Sequence, residues 1–344
     1  MTTAGFSRRG FLGTSAAAVV TAALAGAGQA PAATAASPAL GAASPLSKDT
    51  YRLAAVQAEP IWYDVEATAD KTIALMAEAK NNGADVVAFG ETWLPGYPIF
   101  MWFGDEAYKA PLRDLYLRNS VIRGGPLHRR LENATKDLGI TLVIGVSERA
   151  DTKMYIGTWI LDHGTTLHTQ RKLKPSGPEW DLFHSGQQGT YQIPATSVGA
   201  LGALSCNENR RPLLRDKMYT MGEQIHVSAW PCFALDVGIY GMSHLTSLES
   251  SAQYAAEGGV TTLAPTLIAS EGYHLKYPLP SGGKEALKPG GGYAMIFDRD
   301  GKRVADPLDP TTEGIVYADV SSSAILGPNN YDEKPFVVRR DGLQ

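Results

Sequence analysis

Strand-like and helix-like segments alternate along this chain, and that alternation restricts its fold more than any other feature. Residues 51–57, YRLAAVQ, predict a strand, and residues 67–83, ATADKTIALMAEAKNNG, predict a helix that ends at Gly83. Residues 85–90, DVVAFG, predict a buried strand. A second helix precedes a strand at residues 140–145, and its apolar face consists of Leu127, Leu131, Ala134 and Leu138. Strands that alternate with helices predict an α/β fold.

The chain beyond residue 150 adds hairpins to this pattern. Residues 158–172 and 294–304 each place a Gly-containing turn between two extended runs. Between the hairpins, two strands are each followed by a helix, and a third strand comes after the second helix. The strands are residues 198–205, 225–231 and 260–265, and the helices are residues 211–222 and 247–257. We predict one α/β domain with mixed sheets over residues 49–320 and a C-terminal tail at residues 321–344.

The first residues do not fit that domain. The segment SRRGFLG, with Arg8 and Arg9, is followed by an uncharged, Ala-rich run and by small residues up to Ala35. This order is typical of a twin-arginine signal peptide over residues 1–35, and residues 36–48 then predict a flexible lead-in. The alternatives are a basic tail or a retained membrane anchor, but the apolar run is short for a spanning helix. We expect export to the periplasm or the extracellular space.

Composition excludes several classes of partner. The chain has 31 basic and 35 acidic residues, and without Arg8 and Arg9 the count becomes 29 against 35, a net charge of −6. A mildly acidic chain with no basic block argues against nucleic acid as a partner. Two cysteines do not make a disulfide framework, and the seven histidines form no HxH or HxxxH pair for a metal. The sequence also has no Gly-rich phosphate loop.

One of the two cysteines stands where chemistry is expected. Cys206 lies between a strand and a helix, where backbone N–H groups and the positive helix end favour a thiolate. A nucleophilic thiol needs a base and a group that opposes developing negative charge. Glu91 directly follows the strand DVVAFG, and Lys172 ends a hairpin strand. We expect these three side chains to converge; the ordinary alternatives are a buried cysteine, a capping glutamate and a solvated lysine.

Three segments carry a family resemblance. In this order, AFGETWLPGYP, RKLKPSGPEW and LSCNENRRPLL resemble the signature blocks of the nitrilase superfamily, and most closely those of true nitrilases. The likeness covers roughly residues 51–336. It implies an αββα sandwich with mixed sheets, whose subunits pair into an eight-layer dimer or a longer spiral. It also implies that no metal or organic cofactor is used, and it suggests that the C-terminal tail lies at a subunit interface.

The resemblance also implies residue roles. Glu91 would take the thiol proton, and Cys206 would attack the nitrile carbon. Lys172 and the N–H of Asn207 would oppose the charge that develops, and Glu179 would position these groups unless it only shapes its loop. The implied reaction converts an organic nitrile and water to a carboxylic acid and ammonia through a thioimidate and a thioester. An amidase or carbamoyl-amide hydrolase with the same site stays open, as does a catalytically silent binding or assembly protein.

Residues beside the predicted catalytic residues affect which substrates can bind. True nitrilases usually have Trp directly after the nucleophile, whereas this chain has Asn207, which leaves the substrate range open. Trp93, Tyr97 and Trp230 are predicted to border the substrate pocket, and core packing is the alternative for the aromatic residues around Tyr97. Cys232 is predicted to be structural, although a bridge from it to the nucleophile would silence the enzyme.

Overall fold

The computed structural model of this chain describes residues 46–328 and residue 330. The strands are β1 (Thr50–Ala58), β2 (Val86–Ala88), β3 (Thr141–Ala150), β4 (Lys153–Asp162), β5 (Thr165–Arg171), β6 (Ala195–Thr196), β7 (Gly199–Ser205), β8 (Ile225–Ala229), β9 (Thr261–Ala264), β10 (Thr266–Leu267), β11 (Met295–Phe297) and β12 (Gly314–Ser321). The helices are α1 (Val65–Asn81), α2 (Glu106–Arg118), α3 (Pro126–Leu138), α4 (Pro212–Thr220), α5 (His244–Gly258), α6 (Glu271–Lys276), α7 (Gly283–Ala286) and α8 (Ser322–Ile325).

The strands form two mixed sheets. In the first sheet, β1 pairs with β2, β10 and β12, and the order continues from β2 through β3 and β4 to β5. Strands β1, β2 and β3 are parallel, whereas β4 runs antiparallel to both β3 and β5. The second sheet has the order β11-β9-β8-β7-β6, with β7, β8 and β9 parallel. Since β5 runs in the same direction as β2, their carboxyl ends lie at the same edge.

Side chains that alternate along the strands separate the interior into layers. Leu53 of β1 and Leu201 of β7 belong to one buried cluster between the two sheets. Val56 of β1 packs in a second cluster with Leu131 of α3, on the outer face of the first sheet. Leu204 of β7 packs against α4 and α5 on the outer face of the second sheet. The layers are therefore helix, sheet, sheet and helix, which confirms the predicted αββα sandwich.

Most predicted elements are present at the predicted places. Helix α3 ends before Gly139, whose φ of 59° is the left-handed conformation that glycine adopts at helix ends. The first hairpin is β4 and β5. The second hairpin also has its predicted turn, but its second arm is short: after β11, Arg303 bridges to Phe297 and the N–H of Val304 donates to the carbonyl of Ile296 at 3.0 Å. Two prolines follow, at positions 307 and 310, and proline has no N–H to extend a ladder.

Two predicted segments lie outside the described residues: the signal peptide at residues 1–35 with most of the lead-in, and the tail beyond residue 330. No helix within residues 46–328 and 330 is long and apolar enough to cross a membrane.

Candidate active site

A buried lysine lies at the centre of the candidate site. The Nζ atom of Lys172 donates to Oε1 of Glu91 at 2.8 Å and to Oε2 of Glu179 at 2.8 Å. None of the three residues is more than 2% exposed. A buried ammonium is tolerated only where carboxylates pair with it, so these groups hold one another in place.

Glu91 reaches this point because the ends of two strands from different sheets meet. It comes shortly after β2, and its backbone N–H donates to the carbonyl of Trp230, just after β8, at 2.9 Å. The preceding Gly90 permits this approach, because a Cβ there would lie 2.4 Å from the Trp230 oxygen. The indole N–H of Trp230 donates to Ser251 of α5. Glu91 is therefore fixed by the junction between the sheets.

We call Lys172, Glu91 and Glu179 the charge cluster. Hydrogen bonds that involve the backbone fix Lys172 and Glu179. The N–H of Lys172 donates to Ile156 of β4 at 2.7 Å, which continues the β4–β5 ladder past the end of β5. Glu179 lies in a short 3₁₀ helix over Gly177–Asp181. Its Oε2 also accepts the N–H of Ser176 at 2.7 Å, and its Oε1 accepts the hydroxyl of Tyr97 at 3.3 Å. Glu179 is thus a partner of Lys172 as well as a residue that shapes its loop.

Cys206 begins a 3₁₀ helix, Cys206–Arg210, directly after β7. Its φ is 46°, in the left-handed region that residues other than glycine seldom adopt. Such backbone conformations cost free energy and are concentrated at functional sites. The residue is 4% exposed and is not bonded to Cys232, which is buried in the core as predicted.

The N–H of Asn207 in this turn favours the Cys206 thiolate, as expected, but burial and nearby carboxylates outweigh it. Burial and the neighbouring Glu91 carboxylate raise the pKa of the Cys206 thiol well above its usual range. Lys172 and the backbone N–H of Asn207 oppose only part of that rise. The short helix contributes too little to offset burial in a site that also holds carboxylates. The Cys206 thiol therefore favours its protonated form and would need a base in order to act as a nucleophile.

Glu91 has the properties of that base. Burial raises its pKa to about 8, with Lys172 opposing the rise and Glu179 adding to it. Its Oε2 is buried and accepts no hydrogen bond from any described residue, so one carboxylate oxygen is free to take a proton. For Lys172, burial lowers the pKa, but Glu179 and Glu91 raise it well above its usual range. The site thus holds a permanent cation beside an unusually basic carboxylate.

Sequence reasoning missed the part played by Glu208. Its Oε1 accepts the N–H of Leu173 at 2.8 Å and the hydroxyl of Tyr191 at 2.6 Å. Its Oε2 accepts the N–H of Ser205 at 3.4 Å. The carboxylate therefore joins the residue after Lys172 to the residue before Cys206. The sequence shows a carboxylate two positions after Cys206, but its position alone does not reveal which groups it bonds to.

The predicted pocket residues fall into two groups. Trp93 lies in the core and donates its indole N–H to Thr72 of α1, which corresponds to the core-packing alternative. Tyr97 and Trp230 contact the charge cluster through the bonds given above, and both are buried. Asn207 is partly exposed and lines a cavity of about 750 Å³ beside the Cys206 turn, together with Trp180 and Leu213. Groups of three or more potential metal ligands do not occur in the described part of the chain.

Comparison with known proteins agrees with this geometry. Residues 52–326 match the family model for carbon-nitrogen hydrolases. The chain belongs to the carbon-nitrogen hydrolase family, whose members are hydrolases that act on carbon–nitrogen bonds.

Several characterised relatives share most of their length with this chain. It is 40% identical to a nitrilase of Pseudomonas syringae pv. syringae (strain B728a), over 85% of this chain and 89% of that protein. It is 37% identical to a bromoxynil-specific nitrilase of Klebsiella pneumoniae subsp. ozaenae, over 84% of each. The fold resembles a mutant of the Nesterenkonia AN1 amidase from the nitrilase superfamily, with a TM-score of 0.61 and 18% identity, over 82% of this chain and 95% of that one.

The raised pKa of Glu91 predicts how thiol reactivity depends on pH. Below about pH 8 the carboxyl is protonated and cannot accept the thiol proton, and above it the carboxylate is free. The rate of Cys206 alkylation by iodoacetamide should therefore rise through an apparent pKa near 8. In the Glu91→Gln variant this rise should disappear, leaving only a slow reaction that increases at higher pH. Mass spectrometry of the modified peptide measures both rates.

The Tyr97→Phe variant is the control, because it removes a neighbouring hydroxyl but leaves the base in place. Identical pH profiles for the wild type and Glu91→Gln would show that Glu91 does not take the thiol proton.

Proposed function

We propose that this protein hydrolyses organic nitriles to carboxylic acids and ammonia, with Cys206 as nucleophile. The observation that carries the proposal is the buried Lys172, which both Glu91 and Glu179 pair with, beside a thiol that needs a base. Relatives at 34–40% identity that are named nitrilases support the choice of nitriles as substrates. A buried charge cluster of this kind has little use in a silent binding protein, because burying charges is costly.

The first half of the reaction forms a covalent thioimidate. Glu91 removes the thiol proton while Sγ of Cys206 bonds to the nitrile carbon. One π electron pair of the C≡N bond moves to nitrogen, which then takes the proton from Glu91. Lys172 and the N–H of Asn207 oppose the negative charge that develops on nitrogen. This stabilisation is effective because Lys172 and Cys206 are buried, where charges are poorly screened.

The second half consumes two waters. Glu91 takes a proton from the first water as its oxygen bonds to the thioimidate carbon. Glu91 returns this proton to the nitrogen, and the hydroxyl proton of the tetrahedral intermediate also passes to the nitrogen as the C=O bond forms. The C–N bond then breaks, and ammonia leaves a thioester. Glu91 then takes a proton from a second water as its oxygen bonds to the thioester carbon, the C–S bond breaks, and Glu91 passes that proton to the Cys206 sulfur as the acid is released. The sum is one nitrile and two waters converted to one carboxylic acid and one ammonia, with no cofactor needed.

Ammonia release from matched nitriles and amides tests this function. The wild type should release ammonia from members of a panel of aliphatic, aromatic and arylacetic nitriles, and Cys206→Ala should release none. Lys172→Met should lower kcat by about 10²–10³, because it removes a donor that opposes developing charge. The protein is kept under reducing conditions, and product is quantified as both acid and amide.

Release only from the amides would identify an amidase instead and would make Asn207 the first residue to replace. Release from neither class, with a free thiol confirmed by alkylation, would contradict both enzymatic proposals.

We also propose that copies of the chain pair through the helical layer over the second sheet. Large apolar side chains are exposed in and around α4 and α5, namely Leu213, Ile239, Tyr240 and Leu245. Contiguous exposed apolar surface favours protein association. Pairing two αββα layers through their outer helices gives the eight-layer arrangement, and further contacts extend it to a spiral.

Light scattering after gel filtration tests this surface. The Leu213→Glu variant places a charge on a side chain that is 88% exposed, and it should shift the protein from dimer or larger species to monomer. Leu275→Glu is the matched control, since Leu275 is 80% exposed but lies on α6. Equal masses for the wild type and both variants would place any interface elsewhere.

Export by the twin-arginine route is proposed from the N-terminal segment. Replacing Arg8 and Arg9 together by Lys should retain the protein in the cytoplasm, because the paired guanidinium groups are the recognised feature. The control replaces the adjacent pair Arg129 and Arg130 of α3 by Lys in the same way. Cell fractionation measures the outcome, and unchanged export of the first variant would contradict this route.

A further inference from the structure

A chain of hydrogen-bonded polar side chains extends from the backbone of the Cys206 turn into the protein interior. The Nδ2 atom of Asn209 donates to the carbonyl of Cys206 at 2.9 Å and to that of Leu204 at 3.2 Å. Its Oδ1 lies 2.8 Å from Nε2 of His226, and Nδ1 of His226 lies 2.7 Å from Oε1 of Glu223. We call this the Glu223–His226–Asn209 chain.

The direction of each hydrogen bond in this chain is determined. Because the amide nitrogen of Asn209 faces two carbonyls, its oxygen must face the other way and accept. It accepts the hydroxyl of Ser228 at 2.9 Å and therefore also the Nε2–H of His226. The remaining ring nitrogen faces a carboxylate, so a second proton lies between Nδ1 and Glu223.

Glu223, at the far end of this hydrogen-bonded chain, is also held by several contacts. Oε2 of Glu223 accepts the hydroxyl of Tyr254 at 2.5 Å, and the Tyr254 ring stacks on His226 with centroids 3.6 Å apart. Burial and the Glu223 carboxylate raise the pKa of Tyr254 well above its usual range, so its hydroxyl stays a donor. The Glu223 carboxylate fits only because Gly202 of β7 lacks a side chain: a Cβ there would lie 2.0 Å from its Oε1.

Burying this hydrogen-bonded chain costs free energy unless each of its polar atoms is paired. Asn209 and His226 are fully buried and Glu223 is 1% exposed, so each unpaired polar atom would cost free energy. Within the described residues, the Asn209 side chain donates to the backbone of Leu204, in β7, and of Cys206. Cys206 has a φ of 46°, a costly backbone conformation that these hydrogen bonds can stabilise.

We propose that the Glu223–His226–Asn209 chain positions the nucleophile, because it fixes the Cys206 backbone in its left-handed conformation. This rests on the proposed function in taking Cys206 as the nucleophile. The members of the chain are positioning residues, since none of them touches the thiol or substrate. Displacing reacting atoms by about 1 Å can cost about 10² in rate, so a small relaxation of the turn should be measurable.

Two substitutions of His226 isolate the bond to Asn209. His226→Leu removes both ring nitrogens, whereas His226→Gln keeps an N–H donor that can reach Oδ1 of Asn209. We expect His226→Leu to lower the alkylation rate of Cys206 and kcat by about tenfold or more, with KM little changed. His226→Gln should restore both rates to within about threefold of the wild type.

Controls separate positioning from general stability. Thr135→Ala removes a buried hydroxyl that accepts the N–H of Gly164, on the far side of the first sheet. It should lower the thermal midpoint without changing alkylation or kcat. If His226→Leu does not fold by circular dichroism, Asn209→Asp takes its place, because it keeps an oxygen acceptor but loses the donor to the Cys206 carbonyl. That variant should also lose about tenfold in alkylation rate.

The outcomes are distinct. Folded variants that alkylate at the wild-type rate would overturn the proposal, as would equal losses in His226→Leu and His226→Gln. Rescue by His226→Gln supports it. Alkylation needs no nitrile, so the two proposals can fail separately. If the wild type hydrolyses no nitrile but His226→Gln still restores the alkylation rate, the proposed function is contradicted and the positioning role is supported.

Discussion

The pairing of one buried ammonium with two buried carboxylates is the interaction on which the rest of the site depends. Removing one member of such a cluster leaves uncompensated charge in the interior, at a cost of about 3–5 kcal/mol. The same cluster sets the chemistry, because Lys172 stays cationic while burial makes Glu91 a stronger base. Structure and reactivity therefore come from the same three side chains.

The sandwich of two sheets explains why these residues can meet. Glu91 and Lys172 lie past the ends of strands in the first sheet, and Cys206 lies at the end of a strand in the second. The bond from Glu91 to the carbonyl of Trp230 joins the two edges directly. A rigid junction of this kind keeps a base and a nucleophile from different sheets in a fixed relation, which catalysis requires.

Two buried carboxylates near Cys206, from different segments of the chain, have different tasks. Glu179 pairs with Lys172, whereas Glu208 accepts backbone N–H groups from both catalytic segments. Asn209 also bonds to the backbone of the same turn and is itself held by the hydrogen-bonded pair of His226 and Glu223. The nucleophile is thus held from several directions, as expected for a non-glycine residue at positive φ.

The sequence by itself determined the order of strands and helices, indicated the αββα class through its family resemblance, and selected Glu91, Lys172 and Cys206 as candidate site residues. Hydrophobic periodicity and helix ends are local, and three motifs in one order are specific. The sequence could not determine the protonation of Cys206, because burial depends on every element packed around it. Nor could it show that Trp93 packs in the core or that His226 pairs with Asn209. Those facts depend on contacts between segments far apart in the chain, which only the tertiary structure brings together.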